Sequence, residues 1–204
     1  MDNAVTLVQA YLRLNGYFTI TEFPIVESIK HGGHRTATDI DVLAVRFPGA
    51  GRLVPQSGSK SKHDRLITDV DTALGISLND ADMIICEVKK GKAQINHGGR
   101  EPDVLRSALV RFGCCHEERV GGMVDELINH GHAKTVNGHN IRLVAFGTIM
   151  PDLDPGYQTI SLGHVIDYIK GYLVENWEVF RVAEFKDPAM GFLATMIKSS
   201  MLSQ

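Results

Sequence analysis

Asp41 and the triplet Glu87-Val88-Lys89 are the residues of this chain whose types and spacing could do chemistry. They sit in two apolar runs, Thr38-Asp39-Ile40-Asp41-Val42-Leu43-Ala44-Val45 and Asp82-Met83-Ile84-Ile85-Cys86-Glu87-Val88-Lys89. Each run reads as a core strand carrying charge where a core strand should have none. Side chains alternate faces along a strand, so Glu87 and Lys89 project from one side, roughly 7 Å apart at a rise of ~3.3 Å per residue. If the first strand lies beside the second, Asp41 completes a cluster of two carboxylates and an ammonium at one sheet end. Asp82 marks the other end of the second strand with charge, without the acid-x-base pattern.

Such a cluster suits a divalent cation and a phosphate. Mg²⁺ takes oxygen ligands in octahedral geometry and keeps several waters, so one or two carboxylates plus phosphate oxygens are enough. A bound ion lowers the pKa of a water and neutralises phosphate charge, and Lys89 is placed to orient the attacking water or stabilise developing charge. The plainer reading makes Glu87 and Lys89 a solvent-facing ion pair and Asp41 the closure of a turn, since acid-x-Lys triplets are common by chance.

The elements that must position these residues are legible from periodicity. Val5, Leu7, Val8, Tyr11, Leu12 and Leu14 have helical spacing, and Asn15-Gly16 supplies a stop. Residues 17–26 are rich in aromatic and β-branched types and predict a strand, with Pro24 favouring an edge or a break. Residues 30–34 read as a loop. The segment 48–64, with Pro48, Gly49, Gly51, Pro55 and Gln56-Ser57-Gly58-Ser59-Lys60-Ser61-Lys62, predicts a mobile insertion ordered by substrate. Residues 65–78 predict a short helix.

Further helices are expected over 103–112, behind Pro102, and over 120–129, ended by Gly113 and Gly131. Strands are expected at 141–147 and 159–162, with Ser161 capping a helix from Gly163 to Glu175. In the tail from Pro188 to Leu202, Met190, Leu193, Met196, Ile197 and Met201 recur at near-helical intervals. Such a stripe is packing surface rather than a cofactor site, within the chain or in a homodimer.

This order of elements, with Asp41 in one strand and Glu87-Val88-Lys89 in the next, resembles the PD-(D/E)XK nuclease superfamily, the restriction-endonuclease-like fold, from about Ala4 to Gly147. The resemblance implies an α/β fold: an αβββαβ core with a mixed central sheet flanked by helices. Here that would be a nuclease-like domain over 1–178 and a C-terminal helical extension over 179–204. By the same resemblance Asp41 and Glu87 bind Mg²⁺ or Mn²⁺, the Val88 carbonyl is a further metal ligand, and Lys89 is the catalytic lysine. Gln94, five residues on, would be a supporting polar residue. The implied activity is hydrolysis of phosphodiester bonds in nucleic acid, with DNA the favoured substrate.

The chain departs from the family pattern in two places. Its first helix has no acid, leaving Gln9 as the nearest polar substitute, and Ala37 and Thr38 precede Asp39 where the family name has proline. The first departure supports a second reading, a nuclease fold that binds nucleic acid or a protein partner without cleaving.

Composition bounds these readings. At 204 residues the chain suits one domain, or one with an appendage, and 44% hydrophobic with 22% charged residues argues against extensive disorder. No run approaches the ~20 apolar residues of a membrane span and no basic-then-apolar leader opens the chain, so cytoplasmic residence is the expectation. A net charge of −3 removes any global basic field for gripping nucleic acid. Local charge remains in Lys90 and Lys92 beside Lys89, and in Arg100, although a solvated face accounts for the same residues. Three cysteines make no disulfide framework, and the adjacent pair Cys114-Cys115 lacks the usual spacing for zinc with His116, His130, His132 or His139. The glycine pairs do not reproduce a phosphate-binding loop, and no Gly-x-Ser-x-Gly turn is present.

Overall fold

The structure, a computed structural model, describes residues 2–30, 32–56, 64–114 and 117–201. Helix α1 (Asn3–Leu14) opens where the Asp2 side chain accepts the Ala4 amide and closes at Asn15, followed by Gly16 at φ +85°. Strands β1 (Phe18–Ser28) and β2 (His34–Arg46) form a long antiparallel ribbon, and Pro24 sits on the outer strand, where a missing amide costs no ladder bond. A small hairpin of β3 (Arg52–Val54) and β4 (Arg65–Ile67) stands apart from the main sheet. Part of the expected insertion is therefore strand, while residues 57–63, including Lys60 and Lys62, lie outside the described residues.

The short helix expected over 65–78 is not formed. Arg65–Ile67 is β4, and Thr72–Leu74 is a single 3-10 turn capped by Asp71 and ended by Gly75 at φ +60°. The β-branched residues Ile67, Thr68 and Val70, with a capping aspartate and a glycine close by, leave no uninterrupted helical run.

Strand β5 (Asp82–Lys92) is buried from Asp82 to Val88, as befits a strand with neighbours on both edges and helices on both faces. Helices α2 (Pro102–Phe112), with Pro102 in its first turn and Gly113 at its end, and α3 (Glu117–His130) lead through β6 (His132–Lys134) to β7 (Asn140–Ile149). Strand β8 (Gln158–Ser161) follows. Ser161 caps α4 (Leu162–Glu175), its hydroxyl accepting the His164 amide at 3.0 Å. The chain then forms α5 (Trp177–Phe180) and α6 (Pro188–Met201).

The main sheet is mixed, in the order β1-β2-β5-β7-β6, with β8 also paired to β7. Pairing is antiparallel from β1 to β5 and parallel between β5 and β7. One face packs on α1, α4 and α6 through Val42, Ile84, Cys86, Val88 and Phe146; the other packs on α2 and α3 through Leu43, Met83, Ile85 and Leu143. The tail belongs to the first layer. Met190, Leu193 and Ile197 enter that core, while Met196 points outward with Phe192. Among the described residues no helix is long and apolar enough to cross a membrane.

Candidate functional site

Strands β2 and β5 pair from Arg46 with Asp82 up to Val42 with Cys86, and there the ladder stops. Beyond that point β5 stays in the sheet, pairing Glu87, Val88 and Lys89 with Ala145, Phe146 and Gly147 of β7, while β2 leaves with β1 as far as the pair Ser28 and His34. The next positions along the interrupted register are Asp41 and Glu87, so both carboxylates stand at the fork. Asp41 Oδ2 accepts the Val88 backbone N–H at 2.7 Å, filling the place of a ladder bond. Alternation puts Glu87 and Lys89 on the same side as Ile85, facing the layer of α2 and α3.

Glu87 is only 6% exposed. Its Oε1 takes the Lys89 ammonium in an ion pair and the Asn96 side-chain amide at 2.9 Å. Burial pushes the Glu87 carboxyl above its ordinary range, Lys89 draws it part of the way back, and the charge of Asp41 adds to the rise. Burial likewise raises Asp41, against the opposing pull of the Val88 amide and Lys89, with Asp2 and Glu22 adding like charge. Two carboxylates are thus held where ionisation is disfavoured, beside one half-exposed ammonium.

Three nearby residues escaped the sequence reading. Asp2 supplies an acid one residue ahead of α1, where it caps the helix and pairs with Lys90 at 2.8 Å. Its signal was the polar residue in front of an apolar periodic run. Glu22 lies between the pairs Thr21 with Val42 and Phe23 with Ile40, opposite Asp41. Its φ of +52° makes it the one non-glycine residue in the left-handed region among those described, and no sequence signal marks it. Asn96 opens the turn Gly98–Arg100, and its side-chain oxygen accepts the Gly99 amide. Asn-x-Gly-Gly was the legible hint of a turn there.

Gln94 does not support the site. It is exposed and lines a separate depression with Lys92, Arg100 and Tyr157, because β5 ends in an irregular step after Lys89 that turns the chain. Asn96, two residues further on, is the side chain whose amide reaches Glu87. Gln9 is buried on α1 and its amide reaches Thr19 at 3.3 Å, joining that helix to β1. Lys92 pairs with Asp152 at 3.3 Å, and Arg100 donates to the Ile128 carbonyl while its guanidinium lies over the Tyr157 ring. The charge at the far end of β5 is structural: Asp82 is gripped by Arg142 at 2.8 and 2.7 Å and by the Tyr17 hydroxyl at 2.6 Å.

Cys115 and His116 lie outside the described residues. Among the described ones, no group of three or more His, Cys, Asp or Glu side chains could hold a metal ion. The donor set at the fork is the pair Asp41 and Glu87, which fits an ion such as Mg²⁺ that needs few protein oxygens and retains its waters. Comparison with protein-family models, curated proteins and solved structures finds no match.

Proposed function

We propose that this protein is a metal-dependent nuclease of the PD-(D/E)XK type, hydrolysing phosphodiester bonds in nucleic acid, with DNA the favoured substrate. One observation carries the reading: Asp41 and Glu87, withdrawn from water, stand at adjoining register positions beside the Lys89 ammonium where two core strands part. Carboxylates kept from water and set near one another are stabilised by a cation, and groups whose ionisation is disfavoured in this way cluster at functional sites. The order α1, β1, β2, β5, α2, β7 and the mixed sheet support the family reading.

Asp41 and Glu87 would hold Mg²⁺ or Mn²⁺, together with the Val88 carbonyl. When bound, the ion supplies an activated water and neutralises phosphate charge. The chain's own groups do the positioning. The Val88 amide fixes the Asp41 side chain. Lys89, 40% exposed, can turn from Glu87 to a phosphate oxygen or to the attacking water, where its charge favours the transition state. Lys90 and Lys92, exposed just beyond, serve as backbone-phosphate contacts that orient without reading sequence. Arg100 acts by holding its turn.

The test is cleavage of supercoiled plasmid and labelled single-stranded DNA with Mg²⁺, Mn²⁺ or EDTA, comparing the natural chain with Asp41→Asn and Lys89→Ala. Cleavage that needs metal and is lost in both variants supports the proposal; cleavage that persists in them points to another site. The absence of an acid within α1, where Gln9 binds Thr19 instead, favours the second reading, a nuclease-fold module that binds nucleic acid or a protein without cutting. Folded protein that retains DNA yet cleaves neither substrate would favour that reading.

A further inference from the structure

The Glu87 carboxylate has two side-chain partners on the same oxygen, and they differ in kind. Lys89 is charged, long, half-exposed and attached through a flexible stem. Asn96 is neutral, short and fastened at its far end. Its Oδ1 accepts the Gly99 amide, so its NH₂ group is the one that faces Glu87, and the amide has a single satisfied orientation. The turn it anchors is packed against the carboxylate itself: a Cβ at Gly99 would lie 3.2 Å from Asn96 Oδ1 and 3.3 Å from Glu87 Oε2. Behind it Ala93 and Ile95 are buried in the core shared with α2.

We propose that Asn96 is the positioning residue for the Glu87 carboxylate, keeping it aimed at the cation while Lys89, its exchangeable partner, leaves for the substrate. This rests on the metal-dependent nuclease reading. When Lys89 turns its ammonium to a phosphate, Asn96 is the other side chain seen on Glu87 Oε1 that still holds the carboxylate. An uncharged donor does that without competing with a divalent ion for Glu87. Outer partners of this kind typically change metal affinity by about 10- to 100-fold when removed.

The experiment is Mn²⁺ binding, read by the loss of the free-ion electron spin resonance signal and by calorimetry, with no nucleic acid present. Asn96→Ala, Asn96→Ser, Lys89→Met and Asp41→Asn are compared with the natural chain. Serine can still accept the Gly99 amide but cannot reach Glu87, which separates holding the turn from holding the carboxylate. We expect both Asn96 variants to bind Mn²⁺ about tenfold more weakly or worse, and Lys89→Met to bind at least as tightly as the natural chain while losing cleavage. A folded Asn96→Ser protein with natural affinity, or a Lys89→Met protein that binds about tenfold more weakly than the natural chain, overturns the inference. If the natural chain binds no Mn²⁺, or Asp41→Asn binds it equally well, the metal-carboxylate reading falls and takes the inference with it.

Discussion

Asp41 Oδ2 accepts the Val88 amide at 2.7 Å one step past Val42 and Cys86, the last pair of the β2–β5 ladder. A buried backbone donor must find an acceptor, and at the fork the partner strand has already turned away. The carboxylate therefore closes the end of the β2–β5 ladder and forms one wall of the candidate site at once. This dual use separates two substitutions at one position. Asp41→Asn keeps an oxygen for the amide, whereas Asp41→Ala leaves it unsatisfied at a cost of about 1–3 kcal/mol. Denaturant unfolding should find Asp41→Ala clearly less stable than Asp41→Asn, with both unable to cleave; equal stabilities would mean that Val88 is satisfied in another way.

Glu87→Gln should stabilise the protein at neutral pH and, on the proposed nuclease reading, remove cleavage. Burial raises the Glu87 carboxyl, with Lys89 pulling it back and Asp41 adding to the rise. The folded state therefore binds its proton more tightly than the unfolded chain does. Stability from this group is present below the ordinary glutamate pKa of about 4.3 and declines as pH rises through the folded value. Glutamine keeps the shape and an acceptor for Asn96 but never ionises. Thermal midpoints should favour the variant at pH 7 and converge with the natural chain on acidification. A lower midpoint for Glu87→Gln at pH 7 would show that the Lys89 ion pair outweighs the burial of charge.

The site was legible in the sequence where chemistry and strand period coincide. Asp41, Glu87 and Lys89 stand out because charge is anomalous in an apolar run, and alternation alone puts the last two on one face. Gln94 is a surface glutamine, the plainer of its two readings, and counting along the chain cannot foresee the irregular step between the pairs Lys89 with Gly147 and Lys92 with Ile149. Asn96 and Glu22 act through tertiary placement, opposite Glu87 on one side and Asp41 on the other, which no local pattern encodes. Over 65–78 a short helix is expected despite Gly75 and the β-branched residues, and the Asp71 cap and Gly75 confine it to one 3-10 turn.

Gly147 lets that irregular step exist. A Cβ there would lie 2.4 Å from the Ala93 nitrogen, 2.6 Å from its Cα and 2.8 Å from the Gly91 oxygen, all backbone atoms that cannot rotate aside. The Ala93 amide also donates to the Ile149 carbonyl at 2.8 Å, tying the end of β5 to β7. Gly147→Ala must therefore push residues 91–93 outward, shifting Lys89 on one side and the Asn96 turn on the other. Overpacking of this kind costs about 1–3 kcal/mol. The variant should show a lowered melting temperature and, on the proposed metal-carboxylate reading, a smaller upward shift on adding Mn²⁺ than the natural chain shows. Unchanged stabilisation by Mn²⁺ would show that the site does not depend on this close approach.

Asp71 ties three elements on the opposite layer and should be the most acid-sensitive support of the fold. It is 6% exposed, and its carboxylate accepts the Tyr11 hydroxyl of α1 at 2.7 Å, His164 Nε2 of α4 at 2.6 Å and the Ala73 amide at 2.9 Å. Its own amide donates to Asn15 Oδ1 at 2.7 Å. Burial works to raise this carboxyl, yet the Ala73 amide, Tyr11 and His164 together outweigh it and hold the group below the ordinary range. The folded state then binds fewer protons than the unfolded chain, so the stability is fully present above the ordinary aspartate pKa of about 3.9 and is lost as pH falls toward the folded value. Asp71→Asn keeps the shape but loses the charge and one acceptor, a change of about 1–3 kcal/mol at pH 7. In denaturant unfolding across pH, the gap between Asp71→Asn and the natural chain should narrow on acidification below pH ~4. A gap that stays constant would assign the effect to packing alone, with α1 and α4 held together by their apolar contacts rather than by this ionised carboxylate.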